Sequence, residues 1–299
     1  MELRKDTTER ELGKHMHRCR ICGSEGIFQS YLVREMMWDT REEFEYFECA
    51  ECGCLQIAEI PDNLEKYYRE EYYSFQRMDQ EERIFEHPVR HFERILDVGC
   101  GSGEWLLALA DKGYGCLSGC DPYLKTDIRY GDRVNIRNCT IHEMPGDGSY
   151  DLITMHDSFE HMTDPLEVMV SAKRLLKSDG VLEIHVPTYP NKAFDIYGPH
   201  WFQLDAPRHI TLHTIESLAY LAVMSGMVLT QREYDSNYRQ FIYSFFYQHN
   251  ISIHNITREL IQEYFPLEKR AELVALSNEC NHNCQGDHMI VRLKKDQDL

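Results

Sequence analysis

Ile95-Leu96-Asp97-Val98-Gly99-Cys100-Gly101-Ser102-Gly103 is followed, one amphipathic segment later, by Gly119-Cys120-Asp121. Ile95 to Val98 reads as a short buried parallel strand. Gly99, Gly101 and Gly103 let the chain bend sharply and let a ligand reach the backbone with no Cβ in the way. Glu104 to Lys112 carries Leu106, Leu107, Leu109 and Ala110 at helical spacing, and Gly113 closes the helix. Cys116 to Cys120 is the next strand, with Asp121 at its carboxyl end. A carboxylate there accepts ribose hydroxyls in the crevice outside the strand ends, so the stretch predicts a site for a nucleoside-bearing cofactor.

Two details narrow that cofactor. Asp97, just before the glycines, would repel a pyrophosphate but suits the ammonium of a methionyl group. The glycine spacing is G-x-G-x-G, not the G-x-G-x-x-G of dinucleotide sites. Both favour S-adenosylmethionine. At these residues the chain resembles the class I S-adenosylmethionine-dependent methyltransferases. Asp97 to Gly103 looks like their first motif, and Asp121 like their ribose-binding acid, with Pro122 beside it. Gly148-Ser149-Tyr150-Asp151-Leu152-Ile153-Thr154-Met155 resembles their fourth-strand motif. Leu175-Leu176-Lys177-Ser178-Asp179-Gly180-Val181-Leu182 resembles the helix–turn–strand that follows. The resemblance is close from Phe92 to Val186 and looser beyond. It implies an α/β fold, a doubly wound, mostly parallel seven-stranded sheet. It also implies that Asp97, Gly99, Cys100, Gly101, Gly103, Asp121, Pro122, Thr140, Ile141 and His156 hold the cofactor.

With 299 residues, 42% of them hydrophobic, the chain can hold one such domain and a smaller module. No apolar run is long enough to span a bilayer, and the charged start Met1-Glu2-Leu3-Arg4-Lys5-Asp6 lacks the core of a secretion signal; a cytoplasmic protein is expected. A net charge of −18 works against a sequence-independent grip on nucleic acid.

Eleven cysteines in such a chain point away from disulfides. Cys19-Arg20-Ile21-Cys22-Gly23 and Cys49-Ala50-Glu51-Cys52-Gly53 are two C-x-x-C-G knuckles. Each brings two thiolates to one ion, and together they make a closed Cys₄ zinc site of the structural kind. Cys54 reads as a spare thiol. Phe28 to Val33 and Phe44 to Glu48 are the expected ribbon strands. Residues 1–60 thus form a zinc-ribbon module, 61–90 a tyrosine-rich helical connector, and 91–299 the cofactor domain. Tyr67, Tyr68, Tyr72 and Tyr73 give the connector a face that packs or covers substrate. Tyr234 to Phe265 is aromatic and irregular, and an insertion at about 234–288 should shape the substrate pocket. The order of ribbon, tyrosine segment and cofactor domain resembles bacterial sugar and polysaccharide methyltransferases.

Methyl transfer from a sulfonium needs alignment and, for a hydroxyl acceptor, a base. The fourth strand ends at Met155, so His156-Asp157-Ser158-Phe159-Glu160-His161 falls at the carboxyl edge of the sheet. His156 or His161 is a base, with Glu160 as its orienting partner. Alternatively Asp157, Glu160 and His161 hold a divalent metal, because Asp157-x-x-Glu160-His161 resembles the Glu-x-x-Glu-His motif of ubiquinone-pathway O-methyltransferases and of enzymes that methylate small-RNA 3′ ends. Glu160-His161 bracing the next loop is the plain alternative.

A second cluster runs from His200-Trp201 to Pro207-Arg208-His209. Trp201 offers a stacking face, Arg208 a phosphate clamp, and His200 and Tyr189 further substrate contacts. Pro207-Arg208-His209-Ile210 resembles a Pro-Arg-His-Leu segment of the sugar-type relatives, which implies an active-site role for His209. Cys280-Asn281-His282-Asn283-Cys284 reads as a surface loop without metal. The expected protein is a methyltransferase acting on a small polar acceptor, first a sugar or nucleotide-sugar. An RNA methyltransferase and a non-catalytic zinc-dependent interaction protein are the rival expectations.

Overall fold

The glycine stretch turns where its pattern requires. In the computed structural model, which describes residues 11–68 and 92–296, β5 (Arg94–Val98) enters the bend and α1 (Glu104–Asp111) leaves it. Ile95 to Val98 are buried, as expected of a central strand covered on both faces. β6 (Cys116–Cys120) and β8 (Val134–Arg137) extend the sheet to one side, β9 (Tyr150–His156) and β10 (Leu176–Pro187) to the other, all parallel. β7 (Ile128–Tyr130) folds back antiparallel on β8. β13 (His288–Lys295) lies antiparallel to β10, and β12 (Met227–Tyr234) antiparallel to β13. The order is β12-β13-β10-β9-β5-β6-β8-β7. The sheet therefore has eight described strands rather than seven; β7, three residues long, is too short for an alternating pattern to register.

α2 (Pro165–Leu175) buries Val168, Met169, Ala172 and Leu175, and α4 (Ile215–Met224) buries Leu218, Leu221 and Ala222. Thr214 caps α4 through a hydrogen bond accepted from the Ser217 N–H. Asp164 holds the N-cap position of α2, but its carboxylate meets His142 Nε2 at 3.1 Å instead of a helix N–H. The stretch read as irregular is helical: α5 (Arg239–Gln248), α6 (Arg258–Tyr264) and α7 (Leu267–His282) follow the short α3 (Lys192–Tyr197). Ile242 and Phe246, four residues apart, close on Phe265, and Phe241 packs on the other side against the cluster of Trp201 and Leu204, so these residues are helix-packing residues. Cys280 and His282 belong to the last turn of α7, not to a loop.

β1 (Glu11–Arg18), β2 (Glu25–Arg34), β3 (Glu43–Glu48) and β4 (Leu55–Ile57) form a second, antiparallel sheet. Its fifth strand, β11 (Thr211–Leu212), comes from the other end of the chain and pairs with β4. Leu64–Tyr67 form one 3₁₀ turn of the expected connector; Tyr72 and Tyr73 fall outside the described residues. One apolar cluster runs from Cys19, Phe28 and Phe47 through Phe159 and Met155 to Leu218 and Val291. No helix among the described residues is long and apolar enough to cross a membrane.

Candidate functional site

The bend after β5 is tight because Gly99 backs onto Ser158. A Cβ on Gly99, whose φ is +73°, would lie 2.5 Å from Ser158 Cβ. A Cβ on Gly103 would collide with Ile136. The Gly101 N–H donates to Asp121 Oδ2 and the Tyr123 N–H to Oδ1, each at 2.9 Å. These bonds orient the Asp121 carboxylate while each oxygen keeps a lone pair. Burial raises its pKa, and the two N–H donors oppose that. Below the bend, Asp97 accepts from Thr154 Oγ1 at 2.9 Å and lies 3.1 Å from His156 Nδ1. The His156 ring is sandwiched at 4.5 Å from both Trp105 and His185. Pro122 is exposed beside Asp121. Thr140 spends its N–H and hydroxyl on Glu143 Oε2, both at 2.9 Å, and Ile141 is buried at the carboxyl end of β8. The glycine bend thus sets bare backbone beside an aligned acid, an arrangement that suits an adenosyl group.

β9 delivers the second cluster. Past His156 the chain makes a 3₁₀ turn, Phe159–His161, that buries Phe159 and Glu160 completely. The Ile210 N–H donates to the Glu160 carbonyl at 2.8 Å, which ties the loop before β11 to this turn and brings His209 beside it. His161 Nδ1 lies 2.9 Å from the Arg208 carbonyl and 2.9 Å from Tyr68 Oη. A carbonyl only accepts, so Nδ1 carries the proton and the Nε2 lone pair faces Glu160 Oε1 at 3.8 Å. His209 repeats the arrangement: Nδ1 donates to the Gln203 carbonyl at 2.7 Å, and Nε2 stands 3.7 Å from the same Glu160 oxygen. Neither Glu160 oxygen has a hydrogen-bond partner among the described residues. Burial, then Asp157, pushes the Glu160 carboxyl well above the ordinary carboxylate range. Burial, reinforced by His209, lowers His161 to about 3. Burial also lowers His209, although Asp205 opposes it. Two neutral imidazoles therefore converge on one buried acid.

Tyr68 connects this cluster to the crevice. Its ring stacks on Tyr123 at 4.7 Å, two residues from Asp121, while its hydroxyl reaches His161. The sequence carried no sign of this beyond a run of tyrosines. Asp157 turns the other way. With φ at +47° it places Oδ1 2.7 Å from His288 Nε2, and His288 Nδ1 meets Asp235. The set that closes is therefore Glu160, His161 and His209, with ligand atoms all within 4.8 Å; the expected set had Asp157 in place of His209.

The other loop residues serve the interior. Trp201 is 1% exposed and its indole N–H donates to Asp287 Oδ2 at 3.1 Å, so it has no free stacking face. Arg208 is wholly buried between Asp205 and Glu35, where it holds the loop instead of facing a phosphate. Glu35 in turn accepts from the N–H groups of Met37, Trp38 and Thr40. The Tyr189 hydroxyl donates to Glu48 at 2.8 Å. His200 lines a recess with Val33, Met36, Tyr247 and Asn250.

The two knuckles meet. Cys19 and Cys52 Sγ are 3.6 Å apart, as are Cys22 and Cys49 Sγ, and all four sulfurs lie within 4.8 Å of one another. Four thiolates about 2.3 Å from one ion stand roughly 3.8 Å apart, so the set fits a tetrahedral zinc. The Ile21 N–H donates to Cys19 Sγ at 3.4 Å. Cys54 Sγ lies 3.4 Å from Cys52 Sγ, at the edge of the set. Besides the Arg208–Glu35 pair, several contacts join the module to β11 and its flanks. β4 pairs with β11, the Ile57 N–H donates to the Ile210 carbonyl at 3.0 Å, Tyr46 Oη donates to the His209 carbonyl at 2.8 Å, and Thr214 Oγ1 donates to the Cys52 carbonyl at 2.7 Å.

A family model described as a methyltransferase domain matches residues 67–231. The chain is 31% identical over 117 residues to a ubiquinone biosynthesis O-methyltransferase of Haemophilus ducreyi, covering 34% of this chain and 48% of that protein. It is 30% identical over 109 residues to the 27-O-demethylrifamycin SV methyltransferase of Amycolatopsis mediterranei, covering 32% and 39%. The match thus spans about half, or less, of the length of these relatives. Among solved structures, the Burkholderia thailandensis 1,6-didemethyltoxoflavin-N1-methyltransferase with bound S-adenosylhomocysteine is similar, with a TM-score of 0.40 and 15% identity over 68% of this chain and 71% of that one.

Proposed function

The chain belongs to the methyltransferase-domain family, and from that premise we propose that it transfers the methyl group of S-adenosylmethionine to a hydroxyl of a small polar acceptor. The observation that carries the reading is the juxtaposition of the two sites: Tyr68 touches both the wall of the Asp121 crevice and His161. The bound cofactor supplies an activated methyl group, and the chain supplies alignment and a proton acceptor. Asp121 takes the ribose hydroxyls, Gly99 to Gly103 give the floor, and Asp97 stands where a methionyl ammonium needs a counter-charge. His161 and His209 present Nε2 lone pairs, and either can take the acceptor's proton as the new bond forms. Glu160, held neutral by burial, already carries its own proton, so it faces the two imidazoles as an acid and the acceptor's proton stays on the nitrogen that takes it. The ordinary O-methyltransferase relatives support a hydroxyl acceptor. A sugar or nucleotide-sugar remains the first candidate because the acidic chain disfavours a polyanion such as RNA. The Cys₄ set is read as a structural zinc.

A second reading follows from Glu160. Among the described residues both its oxygens lack hydrogen bonds, and both neighbouring imidazoles have Nδ1 fixed by a backbone carbonyl, the arrangement that aims Nε2 at a metal. Glu160, His161 and His209 would then hold a divalent ion that acidifies the acceptor hydroxyl. The test is S-adenosylhomocysteine release over a panel of sugars, nucleotide-sugars and phenols, with and without a chelator too weak to strip thiolate zinc. Turnover of a hydroxylated small molecule, abolished in His161→Ala, supports the proposal. Turnover restored only by added divalent metal selects the second reading. Cofactor binding with no turnover of any class would refute the assignment.

A further inference from the structure

β1 places His15 and His17 two residues apart, so both imidazoles stand on one face of the strand. The strand registers, His15 opposite Phe28 and Ser30 opposite Phe47, put Ser30 of β2 and Glu45 and Phe47 of β3 on that face. Ser30 is small, and Glu45 reaches past it. Glu45 Oε1 lies 2.6 Å from His15 Nδ1 and 3.0 Å from His17 Nε2. The His17 ring stacks on Phe47 at 4.3 Å, with 10° between planes, which fixes its aim. None of these side chains takes part in the methyl-transfer site.

We propose that His15, His17 and Glu45 form a second metal site, an open one, for a late divalent transition ion such as Zn²⁺, Co²⁺ or Ni²⁺. The three ligand atoms lie within 4.8 Å of one another. Two imidazoles and one carboxylate select such ions over Mg²⁺ or Ca²⁺, which prefer oxygen. The convergence of two imidazole nitrogens on one carboxylate oxygen sets up coordination, because an ion replaces the shared protons and touches all three groups. The site differs in kind from the Cys₄ set. β1 is the edge of its sheet and the His15 side chain is 44% exposed, so remaining coordination positions open to water and the ion exchanges. A net charge of −18 raises the local concentration of cations.

The test uses the full chain carrying its zinc, titrated with Co²⁺ and followed by calorimetry and visible absorption. The expected result is a Co²⁺ site without thiolate charge-transfer bands. Its affinity should fall about tenfold or more in His15→Ala and in Glu45→Gln, since loss of even an outer-shell partner costs about 10–100-fold. Circular dichroism of both variants should match that of the parent; His15 is exposed, so its removal leaves the ribbon folded. Glu160→Gln should leave the site intact. Equal Co²⁺ affinity in the parent, His15→Ala and Glu45→Gln would overturn the proposal, as would loss of the Co²⁺ site in Glu160→Gln alone.

Discussion

β5, at the centre of the eight-stranded sheet, is buried from Ile95 to Val98, whereas β1, at the edge of the five-stranded sheet, is exposed along nearly its whole length. The first region is held by apolar contact: Leu96, Ile153, Ile184 and Val186 are fully shielded and lie on neighbouring parallel strands. In the second, β1 contributes no buried residue, and the two knuckles that follow it in the chain close through sulfur. A region stabilised by broad burial resists the loss of any one group, while a region stabilised at one point fails with that point. The loop before β11 belongs to both. His209 is next to β11, a strand of the five-stranded sheet, yet its side chain meets Glu160, which follows a strand of the eight-stranded one.

The sharpest break between the two regions is removal of a thiolate. In Cys49→Ser the zinc content should fall, and with it the ribbon, since structural zinc contributes on the order of 10–16 kcal/mol in small zinc-dependent folds. Turnover should fall by about a hundredfold or more as His209 loses its support, while S-adenosylhomocysteine affinity stays within about threefold, because the crevice rests on the other sheet. Unchanged zinc would sink the Cys₄ assignment. A parallel collapse of cofactor affinity would mean that the two sheets fold as one unit.

Next in size is His209→Ala, which removes a proton acceptor and should lower kcat by about 10²–10⁴ with zinc content and cofactor affinity unchanged. A smaller loss, with KM alone altered, would reduce His209 to a binding role.

Acid should separate the regions less sharply. Burial lowers His161 to about 3 and His213 to about 3. In the unfolded chain both return to about 6.5, so as pH falls the unfolded state takes up protons first. The stability they contribute is complete above about pH 6.5 and is lost progressively toward pH 3. Calorimetric Tm should therefore drop between pH 7.5 and pH 5, about 2–4 °C for each kcal/mol lost, while kcat shows no acid limb at the ordinary imidazole value. Glu160, raised by burial, opposes this on acidification, so the discriminating measurement is His161→Ala: the acid drop should shrink, and an unchanged drop would contradict the burial of this imidazole.

The mildest change is Tyr46→Phe. It deletes the hydrogen bond from Oη to the His209 carbonyl, worth about 1 kcal/mol, and should reduce turnover about fivefold with no loss of zinc. No effect would show that strand pairing alone positions the loop.

The cofactor half was legible because its signals are local. A strand, a glycine bend, a helix and a terminal acid occupy one contiguous stretch, and each part is dictated by backbone sterics or by period. The same holds for the knuckles, whose spacing alone brings two sulfurs together. The region from Tyr234 to Phe265 was misread because aromatics at helical spacing also occur in loops, and only their closure on Phe265 distinguishes the two. Trp201 and Arg208 have the chemistry of a substrate site, and the sequence carries no record of Asp287, Asp205 and Glu35 waiting to occupy them.

From the sequence alone came the cofactor crevice, the parallel core around it and the four thiols. The tertiary structure decided which of fifteen histidines face one another. It drew Asp157 to His288, brought His209 to Glu160 across a strand borrowed by the other sheet, and placed Tyr68 between Tyr123 and His161. The reason is reach. Local sterics and periodicity act over a few residues, whereas a buried acid is matched to its partners by whichever segments packing carries past it.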